Sequence, residues 1–290
     1  MSADLDAADP LGPLLHHFNA QAQLFFTGNF CGNVTFGDSA GMAYLHLMRG
    51  GRTRLRDATG FSVELSEPVL VFYARPLSHW LDADLEEGAD LACASVSFAH
   101  KAFNPIALAL PERIIRPLSQ LPSFAPVLEV LFSEAFTQQP GRQQVLNRLF
   151  EVVLIEMLRH ALSEGSAAPG FLRGLGHPQI GRAVIAMHAA PERHWTLEDL
   201  AAEAGMSRAG FAAGFKELVD ATPGDYLMRW RISVAQALLR QDLPLKLIAE
   251  RVGYDSQAGF LRAFKAVLGE SPTAWRKQSL GGAPLVPQPE

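Results

Sequence analysis

Residues 200–216 read LAAEAGMSRAGFAAGFK, and residues 248–265 read IAERVGYDSQAGFLRAFK. The second stretch restates the first. Leu200 to Gly205 aligns with Ile248 to Gly253 at an offset of 48. Gly210, Phe211, Phe215, Lys216 and Pro223 then align with Gly259, Phe260, Phe264, Lys265 and Pro272 at 49, Asp255 being the extra residue. In each copy a short apolar helix ends at a glycine able to take a left-handed turn, and a small polar residue caps a second helix: Ser207 in the first copy, Asp255 or Ser256 in the second. Phe211, Phe215 and Leu218 share one face of the first capped helix, and Phe260, Phe264 and Val267 repeat that face in the second. The run from Pro223 to Gln241 predicts one long helix joining the copies, with proline suited to its first turn. The pattern is a helix, a turn and a helix, written twice.

Since the aromatic stripes face inward, recognition chemistry falls to the opposite faces. Behind the cap Ser207 these carry Arg208, Ala209, Ala212, Ala213 and Lys216; behind Ser256 they carry Gln257, Ala258, Leu261, Arg262 and Lys265. Arginine and glutamine can make bidentate bonds to guanine and adenine edges, whereas alanine offers at most contact to a thymine methyl. Residues 179–279 resemble the DNA-binding domain of AraC/XylS-type transcription regulators, through WTLEDLAAEAGMSRAGFAAGF, PGDYLMRWRISVAQALL and IAERVGYDSQAGFLRAFKAVLGESPTAWR. The resemblance implies two helix-turn-helix units whose second helices enter successive major grooves of double-stranded DNA, with the residues just named at the contact. Gln257 and Arg262 are expected to carry most of the hydrogen-bonded base selection, and Arg208, Lys216 and Lys265 to anchor phosphates or help at base edges. The family commonly has polar or basic residues where Ala212, Ala213 and Gly214 stand, and this sequence departs from it there.

Upstream the pattern changes. From Leu24 to about Phe98, short apolar runs are punctuated by glycines, which predicts a compact antiparallel β domain. Residues 125–138 and 141–162 show apolar positions at helical steps, and the second run is apolar over more than one packing face, which suggests a dimer contact. Residues 163–178 are dense in Gly, Ser, Ala and Pro and read as a linker. The expected organisation is α+β and multidomain: a β-barrel sensor over 1–120, a helical dimerisation segment over 121–165, a flexible linker over 166–178, an all-α DNA-binding domain over 179–280, and a tail over 281–290.

The β domain resembles the cupin-type sensor domains of a subgroup of AraC-type regulators over about residues 15–120, in GNFCG, HLMRGG, ELSEPVLVFYARPLSHWL and FNPIALALP. The H-x-H motif of metal cupins is absent, so the resemblance does not imply metalloenzyme activity. What the residues offer is Cys31, His46, His79 and Cys93, expected on separate strands. Converging, they would form a tetrahedral zinc site, and the thiols of Cys31 and Cys93 could join on oxidation. The alternatives are that the cysteines are small buried hydrophobes and His46 a core histidine, or that the barrel holds an organic ligand. Strand register decides among these.

Composition narrows the function classes. With 290 residues, 48% hydrophobic and 19% charged, the chain is long enough for about two domains and is not of disordered or collagen-like composition. Two cysteines argue against a secreted disulfide scaffold, and the acidic N-terminus lacks a signal-peptide pattern, so the expected location is cytoplasmic, with no membrane partner. The net charge of -5 hides an asymmetry, since residues 177–280 hold 13 Lys/Arg against 11 Asp/Glu while residues 1–176 hold 12 against 18. A polyanion is therefore expected at the C-terminal part. Gly37 to Gly41 fits the G-x-S-x-G of hydrolases around Ser39, but the strand-to-helix context is missing, and no phosphate loop or zinc helix is present. The expectation is a non-enzymatic, homodimeric DNA-binding regulator responding to a small molecule or an oxidant. The competing reading is a dimerising adaptor, which would show no salt-dependent DNA binding.

Overall fold

The computed structural model describes residues 9, 11–12, 15, 20–37, 42–98, 110–164 and 170–280. Ser39, the 103–109 part of FNPIALALP and the tail 281–290 lie outside them. The described chain divides into two units, a β-rich one within Ala20–Phe98 and Pro111–His160 and a helical one from Ala161 to the last described residue, Leu280.

The β-rich unit contains β1 (Ala20–Phe30), β2 (Gly32–Phe36), β3 (Ala43–Gly51), β4 (Thr53–Asp57), β5 (Ser62–Leu65), β6 (Val69–Tyr73), β7 (His79–Ala83), β8 (Ala89–Phe98) and β9 (Arg113–Pro117). They form two antiparallel sheets, β1-β8-β3-β6-β9 and β2-β7-β4-β5. Alternation explains the layering. Tyr44, Met48, Val69, Val71, Tyr73, Leu91 and Cys93 of the larger sheet share one core with Phe36, Leu55, Leu65 and Leu81 of the smaller. The other phase of the larger sheet, Leu45, Leu47, Leu70 and Phe72, is buried as well, so its central strands read as continuous apolar runs. Asp57 of β4 ties the sheets together, accepting from the Tyr73 hydroxyl at 3.2 Å and pairing with Arg113 of β9, whose guanidinium stacks over Phe61 at 3.5 Å. Burial pushes the Asp57 carboxyl up, and the Thr59 hydrogen bonds and the Arg113 guanidinium outweigh it and hold the group below the usual carboxylate range.

Two helices follow, α1 (Ala125–Ala135) and α2 (Arg142–Glu164). Strand β1 is a sheet edge, with outward N–H groups that need partners. Helix α2 supplies them. Asn147 Oδ1 accepts from Leu24 N at 2.8 Å, and one turn on, Glu151 Oε1 accepts from Ala22 N at 3.4 Å. Leu146, Phe150, Val153 and Met157 of α2 are buried, while Val145 and Val152 stay 42% and 40% exposed.

The helical unit contains α3 (Phe171–Gly176), α4 (Ile180–Ala189), α5 (Leu197–Ala204), α6 (Arg208–Val219), α7 (Pro223–Arg240), α8 (Leu245–Arg251), α9 (Gln257–Leu268) and α10 (Pro272–Leu280). Within the stretch expected as a flexible linker over 166–178, of which 166–169 lie outside the described residues, Phe171–Gly176 form helix α3. Phe171, Leu172 and Leu175 are buried, and Gly170 N donates to Leu218 O at 2.9 Å. Gly174 sits where any side chain would collide with Val219 of α6, so a glycine that reads as linker composition is a packing residue.

Candidate nucleic-acid interface

Each copy of the repeat builds the same local structure from local signals. Before α5, Thr196 and Asp199 form a reciprocal capping box, and α5 ends at Gly205 with φ 62°. Ser207 Oγ accepts from Gly210 N at 3.2 Å and starts α6. In the second copy α8 ends before Gly253, φ 80°, and Ser256 Oγ accepts from Gly259 N at 3.1 Å. Of the two candidate caps in that copy, Ser256 is the one used. The Phe211–Phe215 and Phe260–Phe264 rings lie 5.5 Å and 5.7 Å apart, all four fully buried. The first stripe closes on Val219 rather than Leu218, four residues beyond Phe215.

The outward faces are placed as follows. Arg208, Ala209, Ala213 and Lys216 of α6 are exposed and Ala212 is half-buried; Gln257, Ala258, Arg262 and Lys265 of α9 are exposed and Leu261 is half-buried. The two caps keep a hydroxyl proton free to donate after accepting their backbone bonds. Arg208 is engaged, pairing with Glu198 of α5 at 2.8 Å with both side chains more than 60% exposed. Such an exposed pair is worth little in water.

Sequence reasoning missed two arginines. Arg182 of α4 donates to Ala204 O at 2.7 Å, beside the Gly205 turn. Arg231 of α7 donates to Pro191 O at 2.7 Å and Arg193 O at 2.9 Å. They are 49 residues apart, as are Ala186 and Ala235, so the repeat extends one helix further upstream than the motif shows.

Of the four β-domain candidates, the strand register brings some together and parts others. Cys93 of β8 pairs across the sheet with His46 of β3, and both are buried in the core. His79 begins β7 and meets His46 with 2.9 Å between Nε2 atoms. His79 Nδ1 donates to Leu77 O at 2.8 Å, so its Nε2 accepts from His46 Nε2–H, and both rings are neutral. Burial lowers the pKa of His79 to about 4, and burial followed by the neighbouring His79 lowers that of His46.

Cys31 stands apart. It lies between β1 and β2, exposed, with its thiol donating to Asn29 Oδ1 at 3.3 Å. Its neighbour Phe30 pairs with Ala89, four residues along β8 from Cys93, or about 13 Å at strand rise. A disulfide needs Cα atoms within about 7 Å, so the Cys31–Cys93 redox pair is not formed by this register. The Cys93 thiol is also driven far up in pKa by burial, which keeps it protonated and inert. The set Cys31, His46, His79 and Cys93 does not fit zinc. One ligand is at the rim, one is a buried thiol held protonated, and the two imidazoles are bonded to each other through their Nε2 atoms. Among the described residues no group of three or more His, Cys, Asp or Glu side chains is placed to hold a metal ion. Phe25, Phe26, Phe30, Phe36 and their neighbours leave an apolar cavity of about 20 Å³, close to the size of one water.

Comparison with known proteins agrees with this architecture. A cupin family model matches residues 9–163, and a helix-turn-helix domain model matches residues 200–278. A putative AraC-like transcription regulator of Streptomyces antibioticus is 31% identical over 84% of this chain and 89% of its own length. The HTH-type transcriptional regulator AlkR of Acinetobacter baylyi is 38% identical over 49% of this chain, a match spanning 46% of AlkR. The RCS-specific HTH-type transcriptional activator RclR of Escherichia coli is 28% identical over 80% of this chain and 84% of its own length. These relatives are transcription regulators, and no enzyme family is indicated. Among the described residues no helix is long and apolar enough to cross a membrane. The chain belongs to the AraC-like transcription regulators, with a cupin domain preceding a DNA-binding helix-turn-helix domain.

Proposed function

We propose that the chain binds duplex DNA sequence-specifically by laying α6 and α9 in successive major grooves, with Gln257 and Arg262 at base edges and Arg208, Lys216 and Lys265 at phosphates. The observation that carries this reading is the repetition of one serine-capped helix whose inward stripe is kept while its outward face stays exposed. Binding to the promoter fragment should weaken linearly in log–log terms with salt, by roughly 0.9 per neutralised phosphate. A salt-independent interaction, or none, would remove this reading and favour the adaptor.

The chain acts as a homodimer through α2, whose Val145 and Val152 lie two turns apart and half in solvent. Val152→Glu should halve the sedimenting mass, and an unchanged mass would rule that face out. The signal enters at Cys31 as thiol oxidation. Its support is exposure of the thiol and its bond to Asn29, which also holds Glu87 O and Asp90 beside the Arg49–Asp90 ion pair. RclR, a relative across most of the chain, is named RCS-specific. Cys31→Ser should abolish any oxidant-dependent change in DNA binding. If the variant still responds like the parent, the signal lies elsewhere.

A further inference from the structure

The connector α7 does more than span the gap between the two helix-turn-helix units. Arg231, near its middle, points its guanidinium into the loop that precedes α5 of the first unit, where it bonds the carbonyls of Pro191 and Arg193. Desolvation lowers its pKa, as expected for a half-buried side chain committed to these carbonyls. The turn of the second unit rests on the same spot. A Cβ on Gly253 would lie 2.7 Å from Arg231 Nη2, 2.7 Å from Glu192 O and 2.8 Å from Glu192 Cα, so the backbones of the two units touch with no room for a methyl group. Beside this contact His194 of the first unit's loop lies 3.2 Å from Asp255 of the second unit's turn. The equivalent arginine of the first copy behaves differently. Arg182 caps Ala204 of its own unit and reaches no further in the bonds it makes. A position that serves as an internal cap in one copy thus serves as a clasp between units in the other.

We propose that Arg231, seated against Gly253, is a positioning residue that fixes the separation and rotation of α6 relative to α9, so that the chain accepts its two half-sites at one spacing. The inference rests on the proposed two-groove binding. One inserted base pair moves a half-site by about 3.4 Å and turns it by about 34–36°. A helix pair held by close backbone contact and two charge-assisted bonds cannot follow that shift, whereas a pair joined by α7 alone can bend toward it.

The test uses the full chain and promoter duplexes with the half-sites at native spacing and with one or two base pairs inserted or deleted, read by fluorescence anisotropy. The parent should lose roughly tenfold or more in affinity on a single insertion, the scale of losing one half-site's base contacts. Arg231→Ala should bind the native site a few-fold more weakly and flatten the spacing profile to within about threefold. Arg231→Lys, keeping a cation but not the planar fork, should fall between. If Arg231→Ala keeps the parent's profile, scaled equally at every spacing, or if the parent itself ignores spacing, the proposal is overturned. Should Arg231→Ala fail to fold by circular dichroism, Gly253→Ala reads the same clasp from the other side, and an unchanged profile there overturns it equally. Absence of specific binding by the parent would instead sink the two-groove reading.

Discussion

The two helix-turn-helix units are alike inside and unlike outside. Both have a left-handed glycine turn, a serine cap bonded to a glycine N–H three residues on, and two phenylalanines packed at nearly equal ring distances. Outside, α6 shows Ala209, Ala212 and Ala213 with its leading arginine tied to Glu198, while α9 shows Gln257 and Arg262. The difference teaches that the inner face is held by packing that tolerates few alternatives, whereas the outer face is free to diverge in what it reads. It also predicts a division of labour, with the second unit selecting bases and the first adding phosphate contacts and shape.

The largest expected effect tests the shared interior. Phe215→Ala and Phe264→Ala should each destabilise the helical unit by about 3–5 kcal/mol, the range for truncating a fully buried phenylalanine. Equal losses by thermal or denaturant unfolding support equivalent cores; a loss below about 1 kcal/mol at either position would break the equivalence. The next effect tests the unlike exteriors. Arg262→Ala should cost roughly 1–3 kcal/mol of DNA affinity and relax selection at one base position, while Ala212→Ser should leave base preference unchanged. Selected-site sequencing distinguishes these, and relaxation by the Ala212 variant alone would reverse the assignment. The smallest effect concerns the ion pair of the first unit. Glu198→Gln should release Arg208 and tighten binding by a few tenths of a kcal/mol at low salt, fading as salt rises. Weaker binding would mean that Glu198 holds Arg208 in its binding posture.

Between the domains, legibility differed for a physical reason. In the helical unit the signals are local and periodic: the Ser207 cap at the start of α6 and the Phe211–Phe215 stripe each act within about one turn, and the structure keeps both. In the β-rich unit the strand pattern from Leu24 to Phe98 is kept, while β9, downstream of it, carries no clean alternation in RIIRP. The candidate cluster there depended on register. His46 and Cys93 do face the same core, because they pair across β3 and β8, and the two histidines do meet. Cys31 falls in the turn after β1 and stays at the rim. No pattern within the chain fixes which residue of one strand faces which of another, since that choice is made by sheets closing on a common core.

Sequence by itself therefore determined the duplicated helical unit, its serine cap at Ser207, its inward Phe stripes and which residues of the two capped helices face outward, because each follows from contacts a few residues apart. Tertiary structure alone decided that the two cysteines part, that His46 Nε2–H donates to His79 Nε2 inside the β domain, that Gly174 admits α3 against α6, and that Arg231 clasps one unit to the other. Each of these turns on the approach of segments tens of residues apart, where a shift of one residue or one methyl group changes the outcome.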